Sequence, residues 1–220
     1  NLTLVPVSNW LSGILKESFL QGYPIKLIYN GINTGVFKPS TSIAFRTRHG
    51  LGNKFLLLGV ASTWSPRKGL KDFIELCKHL NSDYQIVLVG LSREQIDKLR
   101  DNMLGIERTE SVEELAELYA SSDVYVNPTY EDNFPTTNLE SLACGTPVIT
   151  YKTGGSPEAI DELTGIVVEQ GNISKLIDAI EMVKNKGKQY YSDACVNRAH
   201  RLYKKEDRYK EYIELYGSLL

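Results

Sequence analysis

Residues 129–158 read TYEDNFPTTNLESLACGTPVITYKTGGSPE, and two strand-to-helix turns lie inside this one stretch. The apolar run just ahead of it, Val124-Tyr125-Val126-Asn127-Pro128, has strand character and stops at a proline. The acidic turn Glu131-Asp132-Asn133 follows, and Pro135-Thr136-Thr137 then opens a segment of helical composition, Asn138 to Ala143. A helix start carries backbone N–H groups without intrahelical partners and a partial positive charge, so it can hold a phosphate without any basic side chain. The chain leaves through Cys144-Gly145-Thr146-Pro147 into a second buried-type strand, Val148-Ile149-Thr150-Tyr151, and Gly154-Gly155-Ser156-Pro157-Glu158 begins another helix. In parallel α/β sheets such turns gather at the carboxyl ends of strands, where ligands bind.

The flanking sequence repeats this alternation. Upstream, KFLLLGVAS (Lys54 to Ser62) is a continuous apolar run of the kind a central parallel strand requires, and QIVLVG (Gln85 to Gly90) is another. Between them Leu70, Phe73, Ile74, Cys77 and Leu80 keep a helical period. Ser92 with Gln95 and Ser111 with Glu114 have capping-box spacing, which predicts helices over 93–103 and 112–121, with a short strand near Gly105 to Glu107 between them. Downstream, GIVVE (Gly165 to Glu169) is a last short strand, Asn172 caps a helix, and Tyr190 to Leu220 is a long helical stretch expected to break near Lys204 to Asp207. The fold class these patterns predict is α/β: a Rossmann-like, doubly wound, mostly parallel sheet with helices on both faces. The amino-terminal part reads as a strand over Asn1 to Ser8, a helix from Trp10 to Leu20 behind the N-cap Ser8, and a strand over Ile25 to Tyr29. Gly35 to Asn53 shows no apolar period and reads as a linker, so residues 1–40 are expected to be the tail of a preceding unit and 41–220 a domain of its own.

Composition excludes several classes. The 220 residues carry 25 basic and 27 acidic side chains, a net charge of −2, so neither a nucleic-acid surface nor an anionic-membrane surface is indicated and any anion site must be local. Cys77, Cys144 and Cys195 are widely spaced, which argues for reduced thiols in a cytoplasmic protein and against zinc. No apolar run approaches the roughly 20 residues of a membrane span. Neither G-x-G-x-x-G nor the Walker pattern occurs.

Three constellations carry chemistry, each with a plainer reading beside it. Arg67-Lys68-Gly69, between a buried strand and a helix, offers two cations to a diphosphate, or is a solvated basic turn. Asp132 and Glu140 can line two ends of a sugar-sized pocket over a helix start, although Thr137-Asn138-Leu139-Glu140 also fits a capping box, and spacing alone favours the cap. Gly154 to Glu158 is either a glycine-rich approach to a ligand with Glu158 reaching in, or a tight turn with proline at a first helical position. His49, His79 and His200 are scattered and receive no role.

Taken together, these residues resemble the carboxy-terminal, donor-binding half of the retaining glycosyltransferases of family 4, which have the GT-B fold of two facing Rossmann-like domains. The pattern at the end of that family's first domain is similar to Val7-Ser8-Asn9-Trp10, Ile28-Tyr29-Asn30-Gly31-Ile32 and Phe37-Lys38-Pro39. Its cation turn is similar to Trp64 to Gly69, its base-side loop to Gly105 to Thr109, and the helix before its key strand to Glu114 to Tyr119. Most specific is Asp132 to Glu140 followed by Ala143-Cys144-Gly145-Thr146-Pro147-Val148, which matches two acidic residues separated by seven.

The resemblance implies a role for each matching residue. Glu140 would hold the ribose hydroxyls of a nucleoside diphosphate sugar, and Asp132 would sit by the hexose near the reacting carbon. Lys68 and Arg67 would neutralise the diphosphate, with Asp132 the catalytic set. Backbone N–H groups at Thr137, Asn138 and Leu139 would assist, Phe134, Pro135 and Thr136 would border the donor, and Ile106 and Arg108 the base. It implies transfer of a sugar from a nucleoside diphosphate donor, with uridine (UDP) or guanosine as the nucleoside, to a carbohydrate or lipid-linked acceptor with retained configuration, and no metal or other cofactor, since no Asp-x-Asp pattern is present. The acceptor cleft would lie in a first domain that the chain lacks beyond its last 40 residues or so; peripheral membrane association at the inner face would run through that domain, and the last helix, about 205–220, would cross back to it. The alternatives are a nucleotide-sugar-binding subunit that needs a partner chain, and a phosphorylase-like enzyme of the same fold. Two departures stand out: Asp132 occupies a position where the family often has Glu, and Thr63 stands where many members have an arginine, leaving Arg67 as its substitute.

Overall fold

A computed structural model describes residues 2–219. Asn1, where the first strand is expected to begin, and Leu220, at the end of the last helical stretch, lie outside the described residues. In chain order the elements are α1 (Asn9–Lys16), α2 (Ala44–Arg48), β1 (Phe55–Val60), a 3-10 turn (Pro66–Lys68), α3 (Leu70–Cys77), β2 (Tyr84–Val89), α4 (Arg93–Ile96), β3 (Met103–Ile106), α5 (Val112–Ser121), β4 (Val124–Asn127), α6 (Thr136–Ala143), β5 (Val148–Tyr151), a second 3-10 turn (Ser156–Ala159), β6 (Gly165–Val168), α7 (Ile173–Lys186), α8 (Lys188–Tyr203) and α9 (Lys205–Leu219).

The six strands form one parallel sheet in the order β3-β2-β1-β4-β5-β6. Side chains alternate faces along a strand, so the complete burial of Leu56, Leu57 and Leu58 in β1 requires cover on both sides of the sheet. On the helical layers α3 packs against α7, and α6 against α5 and α8. The order reverses between β1 and β4: the chain first runs outward to β2 and β3, then returns to build β4, β5 and β6 on the other side. Loops after β1 and β4 diverge at such a switch point and leave a crevice over the carboxyl ends of the strands.

Several elements differ from the sequence reading. The two amino-terminal strands reduce to a single parallel bridge between Leu4 and Ile25, because Pro6 lacks a donor and neither segment pairs with a further strand among the described residues. The expected helix over 93–103 closes after Arg93–Ile96, although its Ser92–Gln95 capping box is complete. The linker over 35–53 contains α2, which tertiary bonds hold: Arg46 donates to the carbonyls of Ser121 and Lys54 and pairs with Asp123 at 2.7 Å. Residues 28–37 pack onto the α/β body: Ile28, Ile32 and Phe37 are buried, and Ile32 bridges Lys204 where α8 gives way to α9. Lys188 caps the end of α5 through the carbonyls of Ala120 and Ser122 at 2.5 and 2.8 Å, and burial lowers its ammonium pKa to about 8.

All three cysteines are buried and free. Among the described residues no helix is long and apolar enough to cross a membrane, and none of the His, Cys, Asp and Glu clusters could hold a metal ion. Large apolar side chains remain exposed at α1 and the turns after it and along α9: Trp10, Ile14, Phe19, Tyr209, Ile213 and Tyr216.

Candidate donor site

The cation turn and the carboxylate loop meet at the switch point. Gly69 is the hinge of the first: its φ of +77° is open to glycine, and a Cβ there would stand 2.1 Å from the carbonyl oxygen of Pro128, so the two loops touch backbone to backbone. The Arg67 carbonyl accepts from the Tyr130 N–H at 2.7 Å and from the Thr129 hydroxyl at 3.2 Å. Across this seam the Lys68 Nζ lies 2.6 Å from Asp132 Oδ2, with both side chains mostly buried. Arg67 is exposed and donates to the Glu131 carbonyl at 3.1 Å. A cleft of about 450 Å³ opens over this pair, lined by Arg67, Lys68, Asp132 and Phe134, joined by Val7 and Asn30 from the amino-terminal segment. A larger cleft, about 640 Å³, lies at the opposite, amino-terminal edge of the sheet around Arg46, Lys54 and Asp123. The smaller cleft is the better anion site, because it lies over the carboxyl ends of the strands and beside the start of a helix.

Helix α6 starts beside that cleft with Pro135 at its N-cap and no side-chain cap. The capping box expected for Thr137 and Glu140 is therefore not formed, because the helix begins at Thr136, one residue ahead of the supposed cap. Glu140 instead accepts from the Tyr119 hydroxyl at 3.0 Å. Burial pushes its carboxyl pKa up, and the Tyr119 hydrogen bond offsets part of that rise. Asn138 is wholly buried: it accepts from Asn127 and donates to Ser156, tying β4 to the turn after β5, while its own N–H goes to the Pro135 carbonyl. Leu139 is core, Thr136 is exposed and Thr137 is half-buried. Phe134 and Pro135 are buried, and the Phe134 ring sits against Tyr29 and Tyr203 at 5.0 and 5.7 Å.

Ile106 ends β3, half-buried, and Arg108 stands exposed beyond it. They lie apart from the cleft, two strands from β1, or ~10 Å at the usual spacing, on the same carboxyl edge. Trp64 belongs to the core, its Nε1 donating to the Val89 carbonyl. Gly154 and Gly155 form a tight turn in which a Cβ would stand 1.9 Å from the Asp132 and 2.0 Å from the Asn133 carbonyl oxygens, so this turn seats the carboxylate loop backbone to backbone. Glu158 faces away, capping α1 by accepting from the Asn9 and Trp10 N–H groups at 2.8 and 2.7 Å. Sequence reasoning gave no site role to Asn30, whose amide donates to the Phe134 carbonyl; its pairing with Gly31 signalled only a turn.

The family model described as "Glycosyl transferases group 1" matches residues 42–205. A D-inositol 3-phosphate glycosyltransferase from Mycobacteroides abscessus is 27% identical over 188 residues, covering 80% of this chain and 42% of that protein. The chain thus spans less than half the length of the curated relatives it matches. Among solved structures, sucrose-phosphate synthase from Thermosynechococcus elongatus superposes with a TM-score of 0.88 at 23% identity over 99% of this chain and 58% of that one. HepE from Anabaena, solved with UDP, gives 0.84 at 20% identity over 97% of this chain and 63% of that one. At such identities the likeness establishes the fold.

Proposed function

The chain belongs to the group 1 glycosyl transferases, and on that premise we propose that it is the donor half of an enzyme moving a sugar from a nucleoside diphosphate sugar to a carbohydrate or lipid-linked acceptor, with retention and without a metal. The observation that carries this reading is the Lys68–Asp132 pair at the switch point, beside an uncapped helix start. An arriving diphosphate takes Lys68, reinforced by exposed Arg67 and by the free N–H groups of α6. Asp132 then turns to the hydroxyls of the hexose. The same cations stabilise the nucleoside diphosphate as it departs. Since HepE was solved with UDP and also with UDP-glucose, uridine donors are the first to try. Glu140 takes the ribose and Ile106 with Arg108 border the base. The protein works in the cytoplasm, reaching a membrane-bound acceptor through its other half.

Exposed apolar groups on α1 and α9 such as Trp10 and Ile213 support a covering unit, either a first domain of the same polypeptide or a partner chain. Holding an acceptor against the anomeric carbon supplies ~7–11 kcal/mol of a transfer barrier, so the 220 residues alone are expected to bind donor and transfer no sugar. Product analysis by NMR tests both halves of this statement: no product from the chain alone, and α-linked product from an α-linked donor once the covering unit is supplied. Inverted product, or turnover by the chain alone at the rate of an intact enzyme, contradicts the proposal. Phosphate-dependent glycan cleavage would favour a phosphorylase.

Glu140→Gln separates ligand contact from stability. Because the folded pKa of Glu140 lies above its unfolded value, the native state binds the extra proton, and stability falls as pH rises from the ordinary carboxylate range through the raised value. The variant is therefore expected to melt at or above the wild-type temperature at pH 7, with that pH dependence flattened, while affinity for a nucleoside diphosphate drops. Lower melting with unchanged affinity in a thermal-shift titration contradicts the ribose role.

A further inference from the structure

Tyr130 precedes Asp132 by two residues and joins four of the loops at the carboxyl edge. Its N–H donates to the Arg67 carbonyl in the cation turn at 2.7 Å. Its carbonyl accepts from the Thr153 hydroxyl after β5 at 2.8 Å and from the Gln170 amide after β6 at 3.1 Å. Its hydroxyl donates to Asp72 Oδ1 at 3.2 Å, in the first turn of α3, four residues after Lys68. The ring packs edge-on against Tyr151 at 5.7 Å. Asp72 is 8% exposed and Tyr151 wholly buried, yet neither Asp72 Oδ2 nor the Tyr151 hydroxyl has a hydrogen-bond partner. The donor at hydrogen-bond distance from this buried carboxylate is Tyr130, with the unpartnered Tyr151 hydroxyl as its other near neighbour.

We propose that Tyr130 is a positioning residue of the donor site, which, through its hydroxyl on Asp72, holds the helix that follows Lys68 in register with the loop that carries Asp132. The inference rests on the donor-site reading above. Asp72 does not face the cleft, and Tyr130 touches no ligand in this account. Its contribution is the separation of the two charged groups that do. Loss of the hydroxyl removes the bond between Asp72 and the carboxylate loop and lets α3 shift against it, and the phosphate contact at Lys68 loosens while the base end, two strands away, is untouched.

The test uses Tyr130→Phe, which keeps the ring, its packing and all the backbone bonds, with UDP and uridine as probes in calorimetric titrations. The variant is expected to bind UDP about five- to tenfold more weakly, the equivalent of one lost hydrogen bond, with uridine binding unchanged. In a Lys68→Ala background the same change is expected to have no further effect on UDP, since the two act on one contact. Asp72→Asn, which keeps an acceptor for the Tyr130 hydroxyl and offers a donor to Tyr151, is expected to bind UDP within twofold of wild type. Equal weakening of UDP and uridine, undiminished loss in the Lys68→Ala background, or unaltered UDP affinity in Tyr130→Phe overturns the positioning role. Failure of the wild-type chain to bind UDP sinks the donor-site reading itself and is thereby told apart from failure of this inference.

Discussion

Replacing Lys68 with Ala is expected to weaken nucleoside diphosphate binding by ~1.5–3 kcal/mol, roughly 10- to 150-fold, while leaving the bare nucleoside unaffected. The size follows from two effects of the same sign. The variant loses a charge-assisted contact in a mostly buried position, and it leaves Asp132, only 15% exposed, as an unpaired anion beside the incoming phosphate. Asp132→Asn is expected to act in the opposite direction on the diphosphate, because Lys68 is then released from its 2.6 Å partner. The same variant should lose the preference for a sugar-bearing donor. Calorimetry on the two variants with UDP, UDP-glucose and uridine checks both signs; parallel losses for all three ligands would place Lys68 outside the phosphate site.

The second large effect is on folding. Gly154 sits at φ +52°, and a Cβ there would stand 1.9 Å from the Asp132 carbonyl oxygen. Gly154→Ala meets both a left-handed backbone and a clash with main chain that no rotamer relieves, and is expected to cost ~2–4 kcal/mol of stability. Gly50→Ala provides the control, since Gly50 has φ +62° with nothing within 4 Å of a built Cβ. Only the conformational part, ~1–2 kcal/mol, is expected there. Urea unfolding of the two variants isolates the steric term by difference. Equal midpoints would mean that the turn after β5 does not seat the carboxylate loop. Since relief comes by displacing Asp132, the folded fraction of Gly154→Ala should also bind donor poorly.

The sheet was legible because its strands are buried on both faces and therefore read as unbroken apolar runs: Leu56-Leu57-Leu58 and Ile86-Val87-Leu88 leave little alternative. Strand order was not legible from periodicity, and the crevice between β1 and β4 came from the resemblance and then from the topology. Features settled by tertiary contacts escaped local reading. Helix α2 is held by Arg46 reaching elements far along the chain, and five residues with no apolar period give no local signal. Glu158 and Glu140 each fit a local pattern, yet the first caps a helix nearly 150 residues away and the second faces Tyr119. Asp132 in the carboxylate loop and Lys68 in the cation turn were named from spacing and resemblance, and their ion pair appears only once the two distant loops are laid side by side. Asn138 was named only for its backbone N–H, and local sequence gave no sign that this group bonds the Pro135 carbonyl or that the side-chain amide is tied to Asn127 and Ser156.

The central claim is that Lys68, Asp132 and the start of α6 form a diphosphate site. It is tested most directly by titrating UDP and uridine separately into the wild-type chain in a calorimeter at low and at moderate salt. The account predicts that UDP binds at least tenfold more tightly than uridine, the worth of one charge-assisted contact, and that the gap narrows as salt screens it. Equal affinities for the two ligands, or no UDP binding at either salt, would contradict it.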